Sequence, residues 1–308
     1  MSQDNFYHSQ IISGQAVSFK DYFGLMLAGN LYLPEKQTEK APALVIAHPY
    51  GAVKEQASNL YAQKLAEKGF VTLSFDLPFW GESEGLPRNA VSPDTYVESI
   101  SAAIDFLSQQ KGVRADNIGL MGICAGGGFS LAAAKIDSRI KAIATASLVD
   151  LGTAARQGGK AEAEATSTQR IAELFGAAFA YTSGTADFWS DDLDDMAKEF
   201  YSFYRTPRGE FTPKGVSKLS TTHPLQSSAS KFMNFYPLSD LTRLLTIPAL
   251  FIAGENAFSR FFSEMANTNS GEKQELLLIP NCNHIDLYDD TDKIPFDKLE
   301  EFFKENLK

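Results

Sequence analysis

Short apolar runs rich in β-branched residues alternate along this chain with stretches whose apolar positions recur every three or four residues. Runs of the first kind predict strands and stretches of the second kind predict helices, so their alternation predicts strands crossing over through helices into a largely parallel sheet. LMLAGNLYLP (25–34) reads as an early strand and ALVIAHP (43–49) as a fully buried one. FVTLSFD (70–76), NIGLMGIC (117–124), IKAIATASLVD (140–150), PALFIAGEN (248–256) and QELLLIP (274–280) continue the series; these are seven runs, and the expected count for the sheet is eight strands. Between them, EQASNLYAQKLAEKG (55–69) puts Leu60, Tyr61 and Leu65 on one helical face and stops at Gly69, placed for a left-handed cap. A second helix starts at Ser92-Pro93-Asp94, a cap, a first-turn proline and an early acid, with Val97, Ile100, Ile104 and Leu107 on its buried face. The amphipathic segment FDKLEEFFKENLK closes the chain.

From Leu151 to about Tyr236 the pattern changes: small residues and acids dominate KAEAEATSTQ, and aromatics crowd DFWSDDLDDMAKEFYSFYRTPRG. About 85 residues is too long for a structureless loop in a compact domain. Residues 151–236 are therefore predicted to form a helical cap inserted after the sixth strand, a lid over one sheet edge, with 1–150 and 237–308 as the core. Within the cap, Phe188, Trp189, Phe200, Tyr201, Phe203 and Tyr204 are spaced like a packed helical face, with Trp189 or Tyr204 lining an acyl pocket.

Composition narrows the setting. At 308 residues, 44% hydrophobic and 21% charged, the chain buries a large core as one α/β domain with an insertion. A net charge of −10 and a pI near 5.0 argue against nucleic-acid or anionic-membrane partners, which need positive charge to replace released counterions. A small, neutral or weakly polar substrate fits better. No apolar run approaches the roughly 20 residues that cross a bilayer, and MSQDNFYHSQ lacks a basic segment followed by an apolar one, which predicts a cytoplasmic protein. Two cysteines, Cys124 and Cys282, make no disulfide framework and no zinc site, so no metal and no cofactor is expected.

Cys124 has a local reason. Gly122-Ile123-Cys124-Ala125-Gly126 fits G-x-C-x-G, the thiol version of the strand-to-helix nucleophile elbow, with glycines where any Cβ would collide with the neighbouring strand and helix. At a helix N-terminus the sulfur meets unpaired N–H groups and the positive end of the dipole, which favour the thiolate. His284, in IPNCNHIDLYD just after the last predicted strand, is placed over the elbow as the base. His8 lies in a ragged N-terminus, His223 in a polar loop, and His48 ends a buried strand where it orders the following turn. The oxyanion hole needs two backbone donors, for which Ala125 and Tyr50 are the first choices, with Gly51 behind Tyr50. Lys54-Glu55-Gln56 begins a helix, and its charges read as structural. Cys282 reads as a loop thiol, with a redox pair to Cys124 as the rival.

HPYGAVKEQ, FDLPFWGESEG, GICAGGG, YRTPRG and NHIDLYD, in this order, resemble the α/β-hydrolase family that includes bacterial dienelactone-hydrolase-like proteins and fungal polyketide acyltransferases. The resemblance spans roughly residues 15 to 305. It implies an α/β-hydrolase fold with an eight-stranded, mostly parallel sheet, a helical cap after strand six, and a cysteine–histidine pair on Cys124 and His284. Relatives with a full triad place a carboxylate shortly after the seventh strand, at a spacing that falls here on Ala257. Glu255 is the nearest carboxylate, with Asp286 and Asp150 as rivals. The expected activity is hydrolysis of an ester or thioester through an acyl-enzyme on Cys124. Acyl transfer to an alcohol is the alternative, and a non-catalytic ligand-binding homologue is a second.

Overall fold

The structure, a computed structural model, describes residues 7–35, 39–210 and 221–308. Eight strands form one sheet: β1 (Gly14–Lys20), β2 (Met26–Tyr32), β3 (Ala41–Ala47), β4 (Val71–Phe75), β5 (Val113–Ile123), β6 (Ile140–Ala146), β7 (Ala249–Gly254) and β8 (Gln274–Ile279). Their spatial order is β1-β2-β4-β3-β5-β6-β7-β8; β1 and β2 are antiparallel to their neighbours, and the rest run parallel. The strand order turns back at β3, and loops leaving the parallel strands gather at one edge, where α/β folds build their sites.

The residue pattern explains these elements. β4 and β7 are buried at every position, as strands covered on both faces are; β7 is an unbroken apolar run, and in β4 the Thr72 and Ser74 hydroxyls donate to Ala62 O at 2.8 Å and Lys54 O at 2.9 Å. α1 (Ala57–Glu67) buries Leu60, Tyr61 and Leu65, and Gly69 behind it takes φ 98°. α2 (Pro93–Ser108) buries Val97, Ile100, Ile104 and Leu107. Ser92 holds the cap position, but its hydroxyl meets the Thr95 hydroxyl at 2.7 Å and caps no backbone amide. α3 (Ala125–Ala134) follows β5 directly, and α7 (Arg260–Thr268) follows β7. After β8 come the short α8 (Asp286–Asp289) and the closing α9 (Phe296–Asn306).

Two boundaries differ from the pattern. β6 stops at Ala146, four residues before the predicted strand end, because Asp150 accepts from Thr153 N–H and caps a helix. An edge strand, β1, also precedes the first predicted run. Between β6 and β7 the chain forms α4 (Leu151–Leu174), bent at Gly159, α5 (Asp195–Tyr204) and a 3₁₀ helix (Gln226–Asn234), with α6 (Leu241–Leu244) leading into β7. Part of the predicted cap, 211–220, lies outside the described residues.

Candidate active site

Cys124 stands at the turn from β5 to α3 with φ 55° and ψ −125°, a pair that costs an L-residue on the order of 1–3 kcal/mol. Three hydrogen bonds hold it: Cys124 N–H donates to Ala146 O at 2.9 Å, and Cys124 O accepts from Gly127 N–H at 3.0 Å and Val149 N–H at 3.1 Å. The flanking glycines follow from close approach. A Cβ at Gly122 would sit 2.5 Å from Gly127 Cα, and one at Gly126 would sit 2.4 Å from Ala47 O.

The backbone amides of Ala125 and Tyr50 both approach the Cys124 sulfur and favour its anion. Tyr50 is fixed from two sides. Its ring packs edge-on against Trp80 at 5.4 Å and Phe232 at 5.0 Å. Behind it, Lys54 N–H donates to Asp76 at 2.7 Å, and the buried ammonium sits 3.0 Å from Asp76, 2.6 Å from Glu55 and 2.6 Å from Glu82. Burial, then the nearby Asp76 charge, pushes Glu55 up to about 7. This cluster braces the loop after β3. Gln56 adds a tie to the segment after α5, donating to Gly209 O at 2.8 Å, and Thr222 N–H donates to Gly51 O at 2.7 Å.

Burial outweighs the donors around the thiol. Cys124 is 7% exposed, and desolvation pushes it up to about 11 even though Tyr288, Ala125 and Tyr50 pull the other way. The donors expected at the elbow to favour the thiolate are thus opposed by burial, which favours the protonated thiol.

His284, between β8 and α8, is fully buried, and burial pushes it down to about 3. Its ring stacks on Phe258 at 4.5 Å and lies 5.7 Å from Phe200, so side chains distant in sequence supply the desolvation. Its carbonyl accepts from Ser147 Oγ at 2.8 Å. The next residue's N–H, on Ile285, donates to Glu199 of α5 at 2.6 Å. Nδ1 meets Ser259 Oγ at 2.6 Å, and Nε2 meets the Tyr288 hydroxyl at 3.1 Å. Tyr288 also lies close enough to the Cys124 sulfur to favour its anion. Tyr288 thus bonds the imidazole and neighbours the thiol, and no direct hydrogen bond joins thiol and imidazole among the described residues.

None of the three candidate carboxylates reaches the imidazole. Glu255 is exposed on the loop after β7. Asp150 is used as the α4 cap, accepting from Thr153 N–H at 3.0 Å and Oγ1 at 2.7 Å. Asp286 accepts from Asn283 N–H at 2.9 Å and Lys293 Nζ at 2.6 Å; burial raises it, but these donors hold it below the ordinary carboxylate range. The hydroxyl of Ser259, four residues beyond Glu255 and on the same loop, occupies the place on Nδ1. Ser259 and Tyr288 both escaped the sequence reading, although Tyr288 follows His284 by four residues, one helical turn.

The other candidates sort cleanly. His48 Nδ1–H donates to Pro49 O at 2.7 Å and Nε2 accepts from Leu77 N–H at 3.2 Å, so it orders the turn. His223 pairs with Asp187 at 2.8 Å within the inserted segment, and His8 is exposed near the N-terminus. Cys282 and Cys124 are both free thiols. Trp189 is not a pocket residue: it is 52% exposed, with Nε1–H on Asp191 at 3.1 Å, and Phe188 is 80% exposed. Tyr204 is buried beside Cys124 and Tyr288, and its hydroxyl has no hydrogen-bond partner at regular geometry.

Above the sulfur opens a cavity of about 290 Å³. Its floor is Cys124, Ala125 and Tyr50, and its walls include Val149, Leu151, Met196, Phe200, Pro224 and Phe258, with Thr185 and Thr222 as side-chain hydroxyls. No charged side chain lines it among the described residues. Among those residues, no group of three His, Cys, Asp or Glu is placed to hold a metal ion, and no helix is long and apolar enough to cross a membrane.

The family described as X-Pro dipeptidyl-peptidase (S15 family) matches residues 24–237. The chain is 38% identical to the uncharacterized protein PA2218 of Pseudomonas aeruginosa, over 96% of this chain and 81% of that one. The crystal structure of PA2218 matches with a TM-score of 0.92 at 37% identity, covering 98% of this chain and 96% of that chain. Thiohydrolase aneE of Aspergillus aculeatus is 40% identical over 127 residues, 41% of this chain and 39% of that protein. The α/β-hydrolase GrgF from Penicillium sp. shares the fold, with a TM-score of 0.78 at 22% identity over 96% of this chain and 99% of that chain.

Proposed function

The chain belongs to the X-Pro dipeptidyl-peptidase (S15) family, within the α/β-hydrolases, and from that premise we propose that it cleaves ester or thioester bonds through an acyl-enzyme on Cys124. One observation carries the reading: the thiol sits in a strained elbow with two backbone amides at its sulfur, on the floor of an apolar cavity. Attack of the sulfur on a carbonyl moves charge onto the oxygen, where the Ala125 and Tyr50 amides stabilise it. His284 takes up the proton and returns it to the leaving group, then activates the second nucleophile.

The cavity argues for an acyl substrate over a dipeptide. A dipeptidyl substrate brings a free ammonium group, and no carboxylate among the described residues lines the cavity to pair with it. An apolar acyl group needs no such partner. The thiohydrolase name of one relative agrees with thioester cleavage.

The same apolar lining favours a second reading, in which water is kept out and an alcohol resolves the acyl-enzyme. The test is turnover of p-nitrophenyl esters and acyl thioesters with and without added alcohols. Free acid as the product at every alcohol concentration establishes a hydrolase; a new ester that grows with added alcohol establishes a transferase. Cleavage of X-Pro dipeptidyl amides without ester turnover would overturn both.

A further inference from the structure

We propose that Tyr288 is the immediate proton acceptor of the Cys124 thiol and hands its own proton to His284. The inference rests on the acyl-enzyme reading and adds a catalytic residue to it. The geometry is a buried set of groups: the Tyr288 hydroxyl at 3.1 Å from His284 Nε2, Ser259 Oγ at 2.6 Å from Nδ1, and the Cys124 sulfur, whose anion the neighbouring Tyr288 hydroxyl favours. Every member of the set is at least nine-tenths buried. Nε2, the atom that should face the nucleophile, has its hydrogen-bonding position taken by the tyrosine, so the path from sulfur to imidazole runs through the phenol.

Two further observations support a relay. Among the described residues no carboxylate touches the imidazole, and Ser259 offers only a neutral acceptor for Nδ1–H, so a standing thiolate–imidazolium pair has no third charge there to hold it. A chain of neutral groups that moves protons only as the carbonyl is attacked avoids placing two isolated charges in an apolar interior. Tyr204 stands beside Tyr288 with its buried hydroxyl unpaired, free to donate to the Tyr288 oxygen as negative charge builds there.

The step balances. As sulfur bonds to the carbonyl carbon, the S–H proton moves to the Tyr288 oxygen and the Tyr288 proton moves to His284 Nε2. The carbonyl π electrons pass to the oxygen facing the Ala125 and Tyr50 amides, and Nδ1–H stays on Ser259. When the intermediate collapses, the proton returns from Nε2 through Tyr288 to the departing oxygen or sulfur.

The experiment is the rate of acylation by p-nitrophenyl acetate in mixtures of light and heavy water, on the wild type, on Tyr288→Phe, and on protein carrying 3-fluorotyrosine at 288. The wild type should give a curved dependence on deuterium fraction, the mark of two protons in flight. Tyr288→Phe should lose on the order of 10² to 10⁴-fold in rate and give a straight line. The fluorotyrosine protein, with the hydroxyl kept, should stay within about tenfold of wild type and remain curved. A straight line for the wild type, or a folded Tyr288→Phe that acylates at the wild-type rate, overturns the relay. If the wild type forms no acyl adduct with any ester or thioester, the acyl-enzyme reading itself fails, and the relay with it.

Discussion

The central sheet and the segment inserted after β6 are built to different standards. β4 and β7 are buried at every position, whereas α4 runs 24 residues with only Gly152 and Thr166 buried and is followed by Phe175 at 83% exposure. The sheet edge fixes the groups of the proposed mechanism: Cys124 after β5, Tyr50 after β3, Ser259 after β7 and His284 after β8. The inserted segment supplies Leu151, Thr185, Met196 and Phe200 to the cavity wall. Rigid packing places the chemistry, and a loosely packed addition shapes what reaches it. The two regions are also joined: Glu199 of α5 holds the His284 loop, and Thr222 holds Gly51 beside Tyr50, the proposed oxyanion donor. Closing the cavity and assembling the site are thus physically linked.

Substitutions can break this division. On the sheet side, His284→Ala should slow acylation on the order of 10² to 10⁴-fold for every ester tested, because the proton loses its acceptor whatever the acyl chain. A loss confined to one chain length would mean that His284 shapes the pocket instead. On the inserted side, Met196→Ala should have the smaller effect. It should change the ratio of kcat/KM for octanoyl over acetyl esters by roughly tenfold, the scale that a few methylenes command in an apolar pocket. Equal losses for both esters would place α5 within the chemistry and erase the contrast.

The same contrast decides what could be read from the sequence. The strands other than β1, with α1, α2 and the elbow, were legible because each is written in a local pattern: an apolar run, a helical period, or glycines on both sides of a cysteine. The place of His284 at the sheet edge was legible from its position after the last strand. The partner of its Nδ1 was not, because that partner depends on which side chain the loop after β7 turns inward. The loop turns Ser259 inward and leaves Glu255 in solvent. The protonation states were not legible either. The elbow signals a thiolate through local dipoles, while burial opposes it, and the His284 ring is buried by Phe200 from α5 and Phe258 from the β7 loop. Trp189 differs for a related reason: it precedes α5 and lies off its helical face, half exposed beside Asp191, whereas Phe203 and Tyr204 of α5 are buried.

The most direct test of the account is the intact mass of the protein after brief exposure to p-nitrophenyl acetate, with the adduct located by peptide mapping beside a Cys124→Ala control. A single acetyl group on Cys124, absent from the control, is the result predicted. Turnover at the wild-type rate by Cys124→Ala, or an acetyl group located on another residue, would contradict the assignment of Cys124 as the nucleophile.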